Sequence, residues 1–133
     1  MHLAINAPDN PIIAVQADNA ALIALAPITL AINIASMQEM LPDVISRYFN
    51  FFRQNMSDKT YFYCCNRLSK KLADGNMIRF WDYPWKPEDD VLSEGPCLWR
   101  NWTYSKKLPF WRRRSRSEEG VWQRLVGLAN EPE

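Results

Sequence analysis

At 133 residues the chain has the length of one domain with room for a real hydrophobic core. Hydrophobic residues make up 47% and charged residues 23%, which excludes a disordered chain. Sixteen basic and fifteen acidic residues leave a net charge of +1, so overall charge does not demand an anionic partner.

Cys64 and Cys65 are adjacent and Cys97 is distant. With no C-x-x-C pair, neither a metal site nor a disulfide framework is expected, and a reducing cytoplasm is the expected compartment. The amino terminus lacks a basic segment followed by an apolar core and a small-residue cleavage site. Residues 20–36 are apolar, but Pro27 and Asn33 interrupt a run already too short to span a bilayer. A soluble protein without a membrane partner is the expectation.

In chain order, Pro8-Asp9-Asn10-Pro11 is turn chemistry, and Ile12 to Gln16 is a short strand candidate. Ala20 to Leu25 reads as a short helix capped by Asp18 or Asn19 and stopped before Pro27. Thr29 to Ala35 is apolar on both alternating faces except at Asn33, the pattern of a strand buried between two layers. Burying its Leu and two Ile side chains is worth roughly 1.5–3 kcal/mol each, so an Asn there points to a ligand rather than to stability.

Ser36-Met-Gln-Glu39 has the spacing of a capping box, but a helix begun at Ser36 would place Pro42 in its interior at a cost of about 3 kcal/mol. A separate turn at 36–40 is therefore expected, with the helix beginning at Pro42 and running to about Asn55. Val44, Ile45, Tyr48, Phe49, Phe51 and Phe52 give that helix its apolar stripe. Lys59 to Arg67 is a second buried strand ending in Asn66-Arg67. Asp74-Gly75 between two short runs is the strongest hairpin signal. The acidic stretch Glu88-Asp89-Asp90 reads as a loop, residues 97–104 as a loosely alternating strand, and Val121 to Leu128 as the last strand.

Leu30-Ala-Ile-Asn-Ile-Ala-Ser-Met-Gln-Glu-Met, Tyr63-Cys-Cys-Asn-Arg, Leu72-Ala-Asp-Gly and Tyr83-Pro-Trp, in this order and spacing, resemble a family of sugar O-methyltransferases. These are Rossmann-like enzymes that use S-adenosylmethionine, and the resemblance covers residues 12–129. Glu39-Met-Leu-Pro-Asp43 is also similar to the looser Glu-His-x-Pro-Asp stretch that follows the fourth strand of many methyltransferases.

The resemblance implies an α/β fold: a partial Rossmann-like methyltransferase sheet, mostly parallel in the first half and antiparallel and hairpin-rich in the second. Residues 1–66 would be the α/β part of a single domain, and 67–133 the hairpin, aromatic and basic part. Ile12–Gln16, Thr29–Ala35 and Tyr61–Asn66 would be the third, fourth and fifth strands in a family order of 3-2-1-4-5-7-6. Gln16, Ala17 and Asp18 would lie on the adenine side of the cofactor, with Asn33 and Ser36 beneath its methionine end. Glu39 would be the catalytic carboxylate near the methyl acceptor, and Gln38, Asn66 and Arg67 would face a sugar or glycoside.

Two departures stand out. Thr29 replaces the Asp that usually begins the fourth strand, at a position far from the chemistry. The glycine-rich loop after the first strand and the acidic residue after the second have no counterpart, since the four glycines are Gly75, Gly95, Gly120 and Gly127. The chain is therefore similar to the carboxyl-terminal half of such an enzyme, lacking the first two strands. The expectation is that residues 12–16 dock beside 29–35 in place of the missing strand; an uncovered edge there would self-associate or pair with a partner.

Each residue also has a plainer reading. Glu39 fits a helix-initiating carboxylate and Asp18 a plain cap, while Cys64 and Cys65 fit buried hydrophobes. His2, the only histidine, lies at the terminus, so a hydroxyl would have to lose its proton to a carboxylate or as the sulfonium approaches. The six tryptophans fit core filling better than sugar stacking. Lys106, Lys107, Arg112, Arg113, Arg114 and Arg116, interleaved with Phe110 and Trp111, resemble a phosphate-binding surface, yet Glu118-Glu119 follow at once. Nucleic acid is thus the least favoured partner. A non-catalytic methyltransferase remnant that binds a partner through its strand edge is the principal alternative to the enzyme, and a small RNA-binding module the weaker one.

Overall fold

A computed structural model describes residues 3–5, 12–14, 27–54, 56–104, 113–115 and 120–130, with side chains described over 27–54, 59–99 and 120–130. Two short strands come first, β1 (Leu3–Ile5) and β2 (Ile12–Ala14), paired antiparallel with Leu3 opposite Ala14. The strand expected at 12–16 thus exists over 12–14, but its partner is β1. Among the described residues, the expected docking beside 29–35 is absent: β2 belongs to a separate two-stranded sheet with β1.

The main sheet begins with β3 (Ile28–Ile34). A 3-10 turn over Met37–Glu39 follows, then helix α1 (Pro42–Gln54) and strand β4 (Met56–Arg67). The separate turn and the start at Pro42 agree with the sequence. Proline needs no N–H at the first helical position, and the Leu41 carbonyl accepts from the Val44 and Ile45 amides to open the helix. β3 and β4 run parallel, with Leu30 opposite Tyr61, Ile32 opposite Tyr63 and Ile34 opposite Cys65.

Beyond β4 come the short hairpin β5 (Ser69–Lys71) and β6 (Met77–Arg79), then β7 (Asp90–Pro96), helix α2 (Leu98–Asn101) and strand β8 (Trp102–Tyr104). β9 (Arg113–Ser115) pairs with β8, and β10 (Val121–Gly127) completes the main sheet. The Asp74-Gly75 hairpin is present, Gly75 taking the left-handed φ of 90° that its turn requires. The main sheet has the order β3-β4-β10-β7, with β10 antiparallel to both neighbours. Among the described residues the chain is therefore a mixed α/β fold with one parallel pair and an antiparallel second half.

Two further expectations change. β7 starts at Asp90, the last residue of the stretch expected to be a loop, and runs on to Pro96: it is an edge strand with almost every residue exposed, so it carries no apolar alternation. The strand expected over 97–104 begins as α2 instead, since a short aromatic run fits either period.

The main core lies on one face of the sheet, and a smaller cluster of Cys65, Cys97 and Val121, with Tyr63 against it, lies on the other. Ala31 and Phe62 point to the main-core face and pack with Ile45 and Phe49 of α1, Phe80, Tyr83 and Val126. Phe49 meets Phe62 and Trp85 edge-on, with ring centroids 5.3 and 4.9 Å apart. Trp85 and Trp122 line this core, whereas Trp81 and Trp99 are exposed. Cys64 and Cys65 are buried as expected, and burial pushes the Cys64 thiol up to about 12.

The opposite face differs from the two-layer burial expected for β3. Leu30, Ile32 and Ile34 are 53%, 62% and 53% exposed, and Tyr61 beside them 40%.

Arg53 and Asp89 anchor the end of α1 from inside the protein. Both Arg53 terminal nitrogens donate to the Asp89 carboxylate, at 2.7 and 2.8 Å, and also to the carbonyls of Ala129 and Pro84. The amides of Lys86 and Ala129 complete the carboxylate's partners. The pair ties helix, loop and the end of β10 together.

Candidate functional site

The carboxyl ends of the parallel strands β3 and β4 carry the polar residues, and the loop after β3 folds back over them. In an open α/β sheet this end is where ligands bind. Asn33 and Asn66 lie on the core-side face, offset by two positions because Asn33 stands opposite Cys64. The Asn66 side-chain amide donates to Asn33 Oδ1 at 2.9 Å and to Cys64 Sγ at 3.1 Å. Asn33 Oδ1 also accepts from the Met37 amide at 3.2 Å, and Asn33 Nδ2 donates to Ser36 Oγ at 2.5 Å. Thus Ser36 precedes the 3-10 turn without capping it through its side chain; its hydroxyl is held by Asn33 instead.

Gln38 extends the network. Its backbone amide donates to Asn66 Oδ1 at 3.3 Å, and its Oε1 accepts from the Arg67 amide at 2.8 Å. Its Nε2 then donates to Glu39 Oε1 at 3.2 Å, which orients the carboxylate at the surface. Lys70 of β5 binds the other oxygen of Glu39. The Lys70 ammonium, the Gln38 amide and the charge of Arg67 together hold the Glu39 carboxyl below the usual carboxylate range, against a smaller upward push from desolvation.

Ala35 joins strand to turn with φ at 61°, in the left-handed region that a residue with a Cβ rarely adopts. Its amide donates to the Cys65 carbonyl at 2.9 Å, extending the ladder one residue past β3. Backbone strain of this kind gathers at functional sites. Beside Glu39, an open depression of about 440 Å³ is lined by Lys70, Lys71, Leu72, Ala73 and Asp74.

The structure brings Asn33, Ser36, Gln38, Glu39, Asn66 and Arg67 together at one strand end. Gln16, Ala17 and Asp18 lie outside the described residues, as does most of the basic run at 106–117. Lys70 is the participant the sequence did not reveal. It is 31 positions from Glu39, and only the fold of the β5–β6 hairpin sets the two side by side.

No protein-family model, curated protein or solved structure matches this chain. The site therefore has to be read from its own chemistry.

The two asparagines are occupied largely with one another and with the turn. The exposed groups are Ser36 and Glu39, both oxygen acceptors, with Lys70 and Lys71 supplying positive charge beside them. Such a set can orient a hydroxyl or face a cation. Among the described residues, no cluster of three or more His, Cys, Asp or Glu could hold a metal ion, and no helix is long and apolar enough to cross a membrane.

Proposed function

We propose that this chain is an S-adenosylmethionine-dependent O-methyltransferase-like protein acting on a hydroxyl of a sugar or glycoside. The observation that carries the reading is the strand order. Spatially the main sheet runs β3-β4-β10-β7. If β3 and β4 are the family's fourth and fifth strands and β7 and β10 its sixth and seventh, this is 4-5-7-6, the closing part of 3-2-1-4-5-7-6. The polar cluster then lies at the strand ends where such a sheet holds its ligands.

The exposed Ser36 hydroxyl, Asn33 behind it and the Glu39 carboxylate suit the cationic methionine end of that cofactor. S-adenosylmethionine, when bound, supplies a methyl group on a sulfonium that an oxygen nucleophile can take. In this reading Glu39 accepts a hydrogen bond from the acceptor hydroxyl and fixes its direction. Lys70 and Gln38 hold the carboxylate ionised, which makes it a weak proton acceptor but a well-placed one. The protein's contribution is then mostly positioning. Gln38 and Asn66 keep the turn rigid, and Arg67 and Lys70 flank the acceptor.

Transfer of a labelled methyl group to a panel of simple glycosides tests this reading. Turnover that falls in Glu39→Gln supports it, and no transfer to any glycoside at high protein concentration overturns it. The exposed face of β3 favours a second reading, a binding module that acts through its strand edge.

A further inference from the structure

Trp81 is exposed and yet held in place. The residue is 49% exposed, although three neighbours fix its ring. Phe80 meets it edge-on at 5.3 Å, Trp122 lies 5.5 Å away at 63°, and the Arg124 guanidinium carbon stands 5.3 Å from its centroid. A ring already oriented in this way loses little entropy when a ligand rests on its open part.

Arg124 is itself locked. Its guanidinium carbon also lies 4.6 Å from the Trp85 ring and 5.7 Å from Phe80, and its Nε donates to Glu94 Oε2 at 2.5 Å. A terminal nitrogen of Arg124 pairs with the same oxygen. Among the described residues, the second carboxylate oxygen of Glu94 is thereby left without a donor, on the exposed edge strand β7. The cluster offers an open π surface, an open oxygen acceptor and a cation that is already paired.

These features select the ligand. Arg124 fills the cation position among the rings, so an ammonium would meet an occupied site. A nucleotide would set its phosphate against a carboxylate whose neighbouring cation is engaged. A proline-rich peptide would stack but brings few N–H donors for Glu94. A pyranose ring fits each feature: its axial C–H bonds form an apolar face for the electron-rich ring, and its hydroxyls donate to a carboxylate oxygen. Trp122 stands opposite Asn66 in the ladder, which sets this cluster one strand spacing, ~4.8 Å, from the polar strand end.

We infer that Trp81, Arg124 and Glu94 form a binding site for one ring of a neutral glycan, stacked on Trp81 and hydrogen-bonded through a hydroxyl to Glu94. The inference stands on this cluster and does not rest on methyl transfer.

The test is binding of cellotriose and of maltotriose to the full chain without cofactor, read by saturation-transfer NMR on the sugar C–H protons. Millimolar binding is expected, weakened ~10-fold or more in Trp81→Ala and largely kept in Trp81→Tyr, which retains a ring. Trp99→Ala, which removes a tryptophan that is 90% exposed, is expected to leave binding unchanged. In the parent chain the Trp81 indole N–H signal should shift on titration, a readout that needs no variant. No saturation transfer from either trisaccharide overturns the inference, as does an equal loss in Trp81→Ala and Trp99→Ala. Choline or uridine monophosphate binding more tightly than both trisaccharides, and lost in Trp81→Ala, also overturns it, by giving the platform to a cation or a nucleotide. With no cofactor in the sample, a failure of methyl transfer leaves each of these outcomes readable.

Discussion

Asn66 donates its side-chain amide to Asn33 Oδ1 at 2.9 Å, bridging the carboxyl ends of two parallel strands. That oxygen also accepts from the Met37 amide, while the Asn66 carbonyl oxygen accepts from Gln38. A buried amide is costly only when unpaired, and here the pair satisfies itself while fixing the turn that presents Ser36 and Glu39.

Asn66 is fully buried, so Asn66→Ala strands the Gln38 amide and removes a donor from Asn33. The expected loss is about 1–3 kcal/mol, measured by urea unfolding. Adding Asn33→Ala to that variant should cost less than Asn33→Ala alone, since the contact is already gone. Simple additivity would show that the two amides do not act as a pair.

Arg53 and Asp89 bury their charges almost completely. Arg53→Met leaves a buried carboxylate without its cation and is expected to cost about 3–5 kcal/mol. An unfolding midpoint unchanged from the parent would show that the pair is not formed in solution.

Acid should weaken the same contact. Burial alone raises the Asp89 carboxyl, but Arg53 and the amides of Ala129 and Lys86 outweigh it, leaving the group below its ordinary value. Its contribution is therefore fully present above the unfolded aspartate value of about 3.9 and disappears as pH falls through the lower folded value. Glu39 shifts in the same direction but is exposed to solvent, so Asp89 should dominate. Urea midpoints from pH 7 to 2 are expected to fall chiefly below the ordinary carboxylate range, and Asp89→Asn should flatten that fall.

Ala35 holds a left-handed backbone that glycine adopts freely. Ala35→Gly is expected to stabilise the chain by up to about 1 kcal/mol, the relief of the Cβ clash less the extra chain entropy of glycine. A loss of stability would place the strain elsewhere.

The sequence carried the local features well. Pro42 marks a helix start for a reason internal to proline, and Asp74-Gly75 dictates its turn. The apolar runs ending at Ile34 and Arg67 locate two strands, and Asn33, Ser36, Gln38, Asn66 and Arg67 do converge. Long-range relations were harder to read. Arg53 sits on the apolar side of α1, 36 positions from the carboxylate that makes its burial tolerable. Lys70 reaches Glu39 only through the hairpin, and β7 is too exposed to alternate. The expected docking of residues 12–16 beside β3 is not seen over 12–14, which pair with β1, a partner without a sequence signal of its own.

The central claim is that the β3–β4 strand end is a methyltransferase site. Calorimetric titration of the folded chain with S-adenosylmethionine tests it most directly. The account predicts saturable binding with one cofactor per chain, weakened by Asn33→Ala in a sample that remains folded. A folded chain that gives no binding heat at high protein concentration would contradict it.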